Sequence, residues 1–211
     1  MALESRTANS SELGRLLFEL PQGIVPLNAA RGTILALDWY AFRQLGFYDA
    51  YVAAMPAPLW AAFSAVTAGS WVPLDLVREH YHVLDGLQLE QNVMRTVGRI
   101  VGERVHGTFL STLIRLVGKS GMVSPWLALE QVYKLWTRSW QGGGITVHRQ
   151  ADTAARVTIV QTSLCSSDFF CTSFSGAVAA GVAPFGKGTA VQLINASRTG
   201  TSVAYRVTWS A

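Results

Sequence analysis

The residues of this chain that could do chemistry are few and scattered. Cys165 and Cys171 flank the start of a predicted helix. There the positive end of the helix dipole can lower a thiol pKa and produce a nucleophile. The ordinary alternative is two small buried side chains. His80-Tyr81-His82 pairs two histidines, but residues two apart on a helix project in different directions and share a metal ion poorly. No second cluster of Cys, His, Asp and Glu completes a ligand set, so these read as surface or capping histidines. His106 lies alone on a later helix. No Ser, His and Asp stand at a recognisable triad spacing. Gly142-Gly143-Gly144 is not followed by Lys-Ser or Lys-Thr and is no phosphate loop, and Gly186-Lys187-Gly188 reads as a turn. The expectation is a non-enzymatic chain without a metal or resident cofactor, a cysteine nucleophile at Cys165 or Cys171 being the enzymatic alternative.

Composition sets the remaining bounds. Of 211 residues, 50% are apolar and 14% charged, enough to build a sizeable core in one domain. The net charge of +4 comes from three lysines and fourteen arginines spread along the chain. Nucleic-acid binding calls for a clustered basic stripe, which is missing. The N-terminus carries Glu4 and Glu12 and no apolar run of the secretory kind. Two cysteines are too few for a disulfide framework. A cytoplasmic location is expected. The uncharged span between Asp49 and Asp75 is interrupted by Pro56, Pro58, Gly69 and Pro73, so it reads as a buried helical hairpin and not a transmembrane segment.

The elements that would position these residues are organised by the amphipathic run from Leu87 to Val117. Val93, Val97, Ile100, Val101, Val105, Phe109, Leu113, Leu116 and Val117 recur at helical spacing, with Arg95, Arg99, Glu103 and Arg115 opposite them. Gly98 and Gly102 cost a helix roughly 1 kcal/mol each relative to alanine, so a strip smoothed by both implies a close neighbour. That neighbour is a tightly crossing helix, the wall of an apolar channel, or a second copy. Upstream, Thr33 to Leu45 is helical, with Ile34, Leu37, Ala41, Phe42 and Leu45 on one face and Gly46 as the stop. Short helices follow at Asp49–Ala54 and after Pro58. Ser70-Trp71-Val72-Pro73-Leu74 reads as a capped helix start, with Pro73 in the first turn. Ser124-Pro125-Trp126 opens one further helix through Trp140.

After Gln141 the character changes to strands: Ile145 and Val147, Ala155–Val160, Ala190–Ile194 and Ser202–Trp209, with a helix from Ser167-Asp168 through Val182. The fold class is therefore α+β. An arm, residues 1–29, precedes a single domain, residues 30–211. Its helical part, 30–140, packs with an antiparallel sheet of about four strands carrying one helix, 144–211. The helical part is rich in aromatic residues. The candidate pocket or packing set is Trp39, Phe42, Trp60, Phe63, Gly98, Gly102, Trp126 and Trp136, facing a small apolar ligand.

Arg31-Gly32-Thr33-Ile34, Phe47-Tyr48, Trp71-Val72-Pro73-Leu74, the glycine-bearing helix, Ser124-Pro125-Trp126 and the terminal sheet together resemble an uncharacterised myxobacterial paralogous family. That family is distantly similar to haem-nitric-oxide-binding (H-NOX) domains and to the vinyl-reductase-type and transport-particle (TRAPP) domains. The resemblance covers roughly residues 30–211. Its H-NOX side implies a proximal histidine on the helix at about Val123 to Trp136 and a Tyr-x-Ser-x-Arg clamp for the haem carboxylates; this chain has neither. Its other side implies a non-enzymatic binding, signalling or assembly module, often a homodimer, with a small apolar ligand. The leading expectation is thus a ligand-binding or protein-interaction module. A haem or gas sensor with a non-standard axial ligand such as His106 is the alternative.

Overall fold

A computed structural model describes Leu16, Leu17, Leu20 and residues 22–117 and 124–210. The side chains at 106 and 108–117 lie outside the described set, as do most of the arm and the break expected at Gly118 to Gly121. Helices dominate up to residue 139, and an antiparallel four-stranded sheet with one helix on it follows, the expected α+β class.

Strand β1 (Ala29–Arg31) runs directly into helix α1 (Gly32–Leu45), whose inward face is Ile34, Leu35, Asp38, Ala41 and Phe42. Of the residues expected on that face, Leu37 is half-buried and Leu45 is exposed. Gly46 ends the helix at φ 79°, a left-handed conformation in which glycine has no Cβ to strain. Helices α2 (Tyr48–Ala54) and α3 (Ala57–Ser64) follow. The expected helix start at Ser70 is instead strand β2 (Trp71–Pro73), and helix α4 (Leu74–Gly86) begins one residue later. The Ser70 hydroxyl caps nothing and donates to the Thr67 carbonyl at 2.7 Å. The reason lies in long-range pairing: Ala30 pairs with Val72 on one side and with Trp140 of strand β3 (Trp140–Gln141) on the other. This small sheet, order β2-β1-β3, ties together the starts of α1 and α4 with the chain that leaves helix α7 (Val132–Ser139). It also brings Leu27 and Ala29, assigned by sequence to the arm, into the core.

Helix α5 (Gln91–Val117) starts later than the hydrophobic run suggests, because Gln88 turns the chain at φ 50°. The single helix expected after Ser124 is two, α6 (Pro125–Glu130) and α7, bent at Gln131. In the C-terminal part, strands β4 (Gly144–Ala151), β5 (Ala154–Val160), β6 (Ala190–Ile194) and β7 (Val203–Thr208) form one antiparallel sheet, order β4-β5-β7-β6. Ala155, Val157 and Ile159 of β5 and Val203, Tyr205 and Val207 of β7 turn inward at the strand period of two. Helix α8 (Asp168–Val182) packs near them; its Ser167 cap accepts from the Phe170 N–H at 3.1 Å, and Asp85 of α4 accepts from Phe169 N–H at 2.7 Å.

The glycine strip of α5 meets α8 of the same chain. A Cβ on Gly98 would stand 1.6 Å from the Ser173 carbonyl oxygen, and one on Gly102 2.8 Å from the Ala177 Cα. Reciprocally, a Cβ on Gly176 would stand 2.0 Å from the Arg95 carbonyl oxygen. The two backbones are therefore in direct contact, and the strip has the tightly crossing helix as its neighbour. On the opposite side of α5, Arg99 and Glu103 pair at 3.2 Å, each more than half exposed. Gly98→Ala should lower stability by about 1–3 kcal/mol or more through overpacking against backbone that cannot rotate away. Arg99→Ala should stay within about 0.5 kcal/mol. Urea melts of the two variants compare them, and equal midpoints would mean that α8 yields freely.

Candidate functional site

Between α1, α4, α5, α6, α7 and α8 lies a crevice of about 100 Å³, partly open to solvent. Its walls are Val101, Val105, Ala128, Leu129, Val132, Leu135, Trp136, Phe170 and Val178, with Gly98, Gly102 and Ala177 along the helix crossing. Polar groups on it are Asp38, Tyr81, Ser139 and Ser173. The Ser173 hydroxyl is engaged with the Phe170 carbonyl at 3.2 Å.

Asp38 connects this crevice to a buried polar chain. Its Oδ2 lies 3.1 Å from His80 Nε2, and His80 Nδ1 lies 2.7 Å from the Tyr51 hydroxyl. His80 is 0% exposed and Asp38 4%. With Nε2–H donating to the carboxylate, Nδ1 accepts from Tyr51 O–H, so one neutral tautomer satisfies the imidazole completely. Phe42 stacks on the ring at 6.0 Å and Phe63 meets it edge-on at 5.9 Å. Burial raises the Asp38 carboxyl above the usual carboxylate range, and the bond and charge of His80 offset part of that. Burial likewise raises Tyr51, which the Trp39 indole N–H partly offsets without meeting hydrogen-bond geometry. Tyr81 is held well above its ordinary value by the same loss of solvent, so both phenols stay protonated.

The candidate residues divide into three groups. Gly98, Gly102 and Trp136 line the crevice, Trp136 anchored by its indole N–H on the Gly142 carbonyl at 3.0 Å. Phe42 and Phe63 enclose His80; Trp39 packs on Phe63 and Trp60, away from the crevice. Trp126 lies on the sheet side, against Trp209 at 4.8 Å, its N–H on the Asp152 carbonyl. His80 is not a surface or capping histidine, as its sequence context suggests, but a core one. Sequence carried the signal: Asp38 sits in the series 34, 35, 38, 41, 42 and His80 in the series 77, 80, 81, 84, each on the buried face of its helix. Two facing helices that each bury one ionisable residue satisfy them against each other. The side chain of His106 lies outside the described residues.

Cys165 and Cys171 are both buried and unpaired, and Cys171 Sγ rests on the Cys165 carbonyl at 3.4 Å. Burial first, then the neighbouring thiol, pushes Cys165 up to about 12; burial, with Asp168 and Asp85 adding, pushes Cys171 up to about 11, Arg198 opposing in both cases. A thiolate nucleophile at neutral pH is disfavoured in that setting. Among the described residues no group of His, Cys, Asp and Glu is placed to hold a metal ion, and no helix is long and apolar enough to cross a membrane.

The fold is that of H-NOX domains. The chain superposes with a TM-score of 0.60 on an H-NOX variant from K. algicida in its Fe(II) unliganded form, at 11% identity over 86% of this chain and 97% of that one. An oxygen-binding H-NOX domain related to soluble guanylate cyclases, in its oxygen complex, gives 0.56 at 14% identity over 86% and 95%. A variant of Tt H-NOX gives 0.57 at 14% over 86% and 95%. No family model and no curated protein sequence matches the chain.

Two outcomes check this geometry. Tyr51→Phe strands the His80 acceptor in the core and should cost about 1–3 kcal/mol. Tyr48→Phe, at a half-buried ring, should stay within about 0.5 kcal/mol; equal denaturant midpoints would remove the hydrogen bond from the account. Alkylation of the folded chain at pH 8 should proceed only as fast as unfolding exposes the thiols, and rapid labelling of either cysteine in the native state would contradict their burial.

Proposed function

We propose that this chain is a non-enzymatic sensor module of H-NOX fold that takes a gas or small apolar molecule directly in its crevice. The observation that carries this reading is the α6–α7 wall. Sequence resemblance puts a haem-ligating histidine on this stretch, and here it presents Ala128, Leu129, Val132, Leu135 and Trp136 to the crevice. The likeness to solved H-NOX structures speaks for gas or ligand sensing more than for an assembly role.

The described residues of the crevice do not fit haem. A volume of about 100 Å³ is well below the roughly 300–1,000 Å³ of pockets for drug-sized ligands. It is nearer the engineered cavity of about 150 Å³ that binds benzene or xenon. Among the described residues no Arg or Lys lines the crevice to meet haem carboxylates, both His80 ring nitrogens are engaged, and the Tyr81 phenol is held protonated. The reading with a haem and a non-standard ligand is favoured only by the fold likeness, and one measurement separates it. Protein purified from haem-replete cells should lack a Soret band; a Soret band would make the haem sensor the correct reading.

Benzene-sized apolar compounds should raise the melting temperature by a few degrees at about ten times their Kd, since that concentration contributes roughly 1.4 kcal/mol. Ala128→Leu, which fills the crevice, should abolish the shift while the fold persists. A shift that survives the filling would move the binding site elsewhere. Native mass spectrometry reads the bound molecule and tests the proposed homodimer together.

A further inference from the structure

The crevice wall has one feature that a purely apolar ligand does not use. Asp38 reaches it with a side chain 6% exposed. One carboxylate oxygen accepts from His80, and His80 in turn is fully occupied by Tyr51. Through Nε2–H the imidazole gives this carboxylate one hydrogen bond, to one of its two oxygens. A buried carboxylate with one donor has acceptor capacity left, and desolvation makes that capacity costly to leave unused. Of the other polar side chains on the crevice, Ser173 is committed to a carbonyl, and Tyr81, near enough to feel the Asp38 charge, is held as the neutral phenol and brings no competing charge.

We propose that Asp38 is the polar anchor of the crevice, and that its ligand is a small molecule with an apolar body and one hydrogen-bond-donating head, an alcohol or a protonated amine. This rests on the crevice being the binding site. The apolar body fills the space between Val101, Leu129 and Val178, and the head donates to the Asp38 oxygen not taken by His80. A donor there supplies what burial withholds from the carboxylate and favours its ionised form, opposing the upward shift that burial gives it. Because Asp38 is the end of the Tyr51–His80 chain, the same contact is felt at a ring nitrogen joining α1 to α2 and α4.

Three probes of one shape test it on the full chain: cyclopentane, cyclopentanol and cyclopentylamine, titrated by thermal shift and by nitrogen NMR of the imidazole of His80. The expected result is an affinity for a donor-bearing probe at least about tenfold above that of cyclopentane. The His80 signals should move with that probe and stay still with the hydrocarbon. Asp38→Asn, which still accepts from His80 but carries no charge, should reduce the preference for the amine to about that for the hydrocarbon. Should that variant fail to fold, the NMR titration of the unaltered chain decides alone. Equal affinities for all three probes would overturn the anchor and leave the apolar crevice standing. No binding by any probe would overturn the crevice reading, and the anchor with it.

Discussion

The backbone contact between α5 and α8 is the constraint on which the rest of this molecule depends. Only glycine at Gly98 and Gly176 lets the carbonyls of Ser173 and Arg95 come so close to the opposite helix. α8 also lies beside the sheet, so the crossing makes one core of two halves that sequence separates. Tyr205 of β7 donates to the Cys171 carbonyl at 3.0 Å, which locks the helix to the sheet on its other side. The crevice is what this arrangement leaves over. Gly98, Gly102 and Ala177 belong both to the crossing and to the crevice wall, and the closeness of the two helices is the reason so little volume remains. Dense packing is the ordinary state of an interior, and the residual space is lined mostly by hydrocarbon with Asp38 at one edge.

The second constraint is polar. Asp38, His80 and Tyr51 come from α1, α4 and α2, and each would be costly to bury alone. Joined, they satisfy the imidazole on both sides and fix the rotation of three helices relative to one another. Aromatic rings close around the imidazole on several sides, including Phe42, Phe63 and Tyr81, so the bonds operate at low dielectric, where a satisfied network is strong and a broken one expensive. Phe42 and Phe63 pack on the imidazole with Trp39 and Trp60 behind Phe63, while Trp136 and Trp140 line the crevice instead.

Much of the fold is legible in the sequence because period is a strong signal over long elements. The α5 run, the β5 and β7 alternations and the Ser167 cap of α8 are all read correctly from residue pattern alone. What fails is short or non-local. β2 spans three residues, too few for a period of two to register, and its identity comes from Ala29–Arg31 and Trp140, far away in the chain. Pro73 after a serine imitates a helix start, although here its φ of −56° and ψ of 144° belong to the end of a strand. The Leu87 start of α5 is too early because an apolar residue in a turn looks like the first turn of a helix. The site is less legible than the fold. The glycine strip is visible as a close-contact surface, but its partner is not. The Asp38–His80 pair is hidden by counting histidines for chemistry when their position on an apolar face was the informative property.

A fold constrains where a site can be, and the side chains decide what it is. Oxygen-binding and Fe(II) H-NOX structures share this backbone, yet the helix stretch that resemblance marks for a ligating histidine is here a hydrocarbon wall, bent at Gln131. Leu, Val and Trp on that stretch offer no ligating atom, and α5 and α8 are in direct contact beside the crevice. The proposed sensing role carries one physical condition. A ligand shifts an equilibrium only by its difference in affinity for two states, so an occupant must touch elements able to move against one another. The remaining crevice meets that condition. It is bounded by α1 and α4, which the polar network holds together, by α8, which the glycines hold to α5, and by the bent α6–α7 segment. That segment touches the crevice through Ala128, Leu129, Val132, Leu135 and Trp136 and leads straight into β3 of the small sheet. Of the walls, it is the one joined neither to the Asp38–His80–Tyr51 chain nor to the glycine crossing, and so the one through which the proposed occupancy would be expressed.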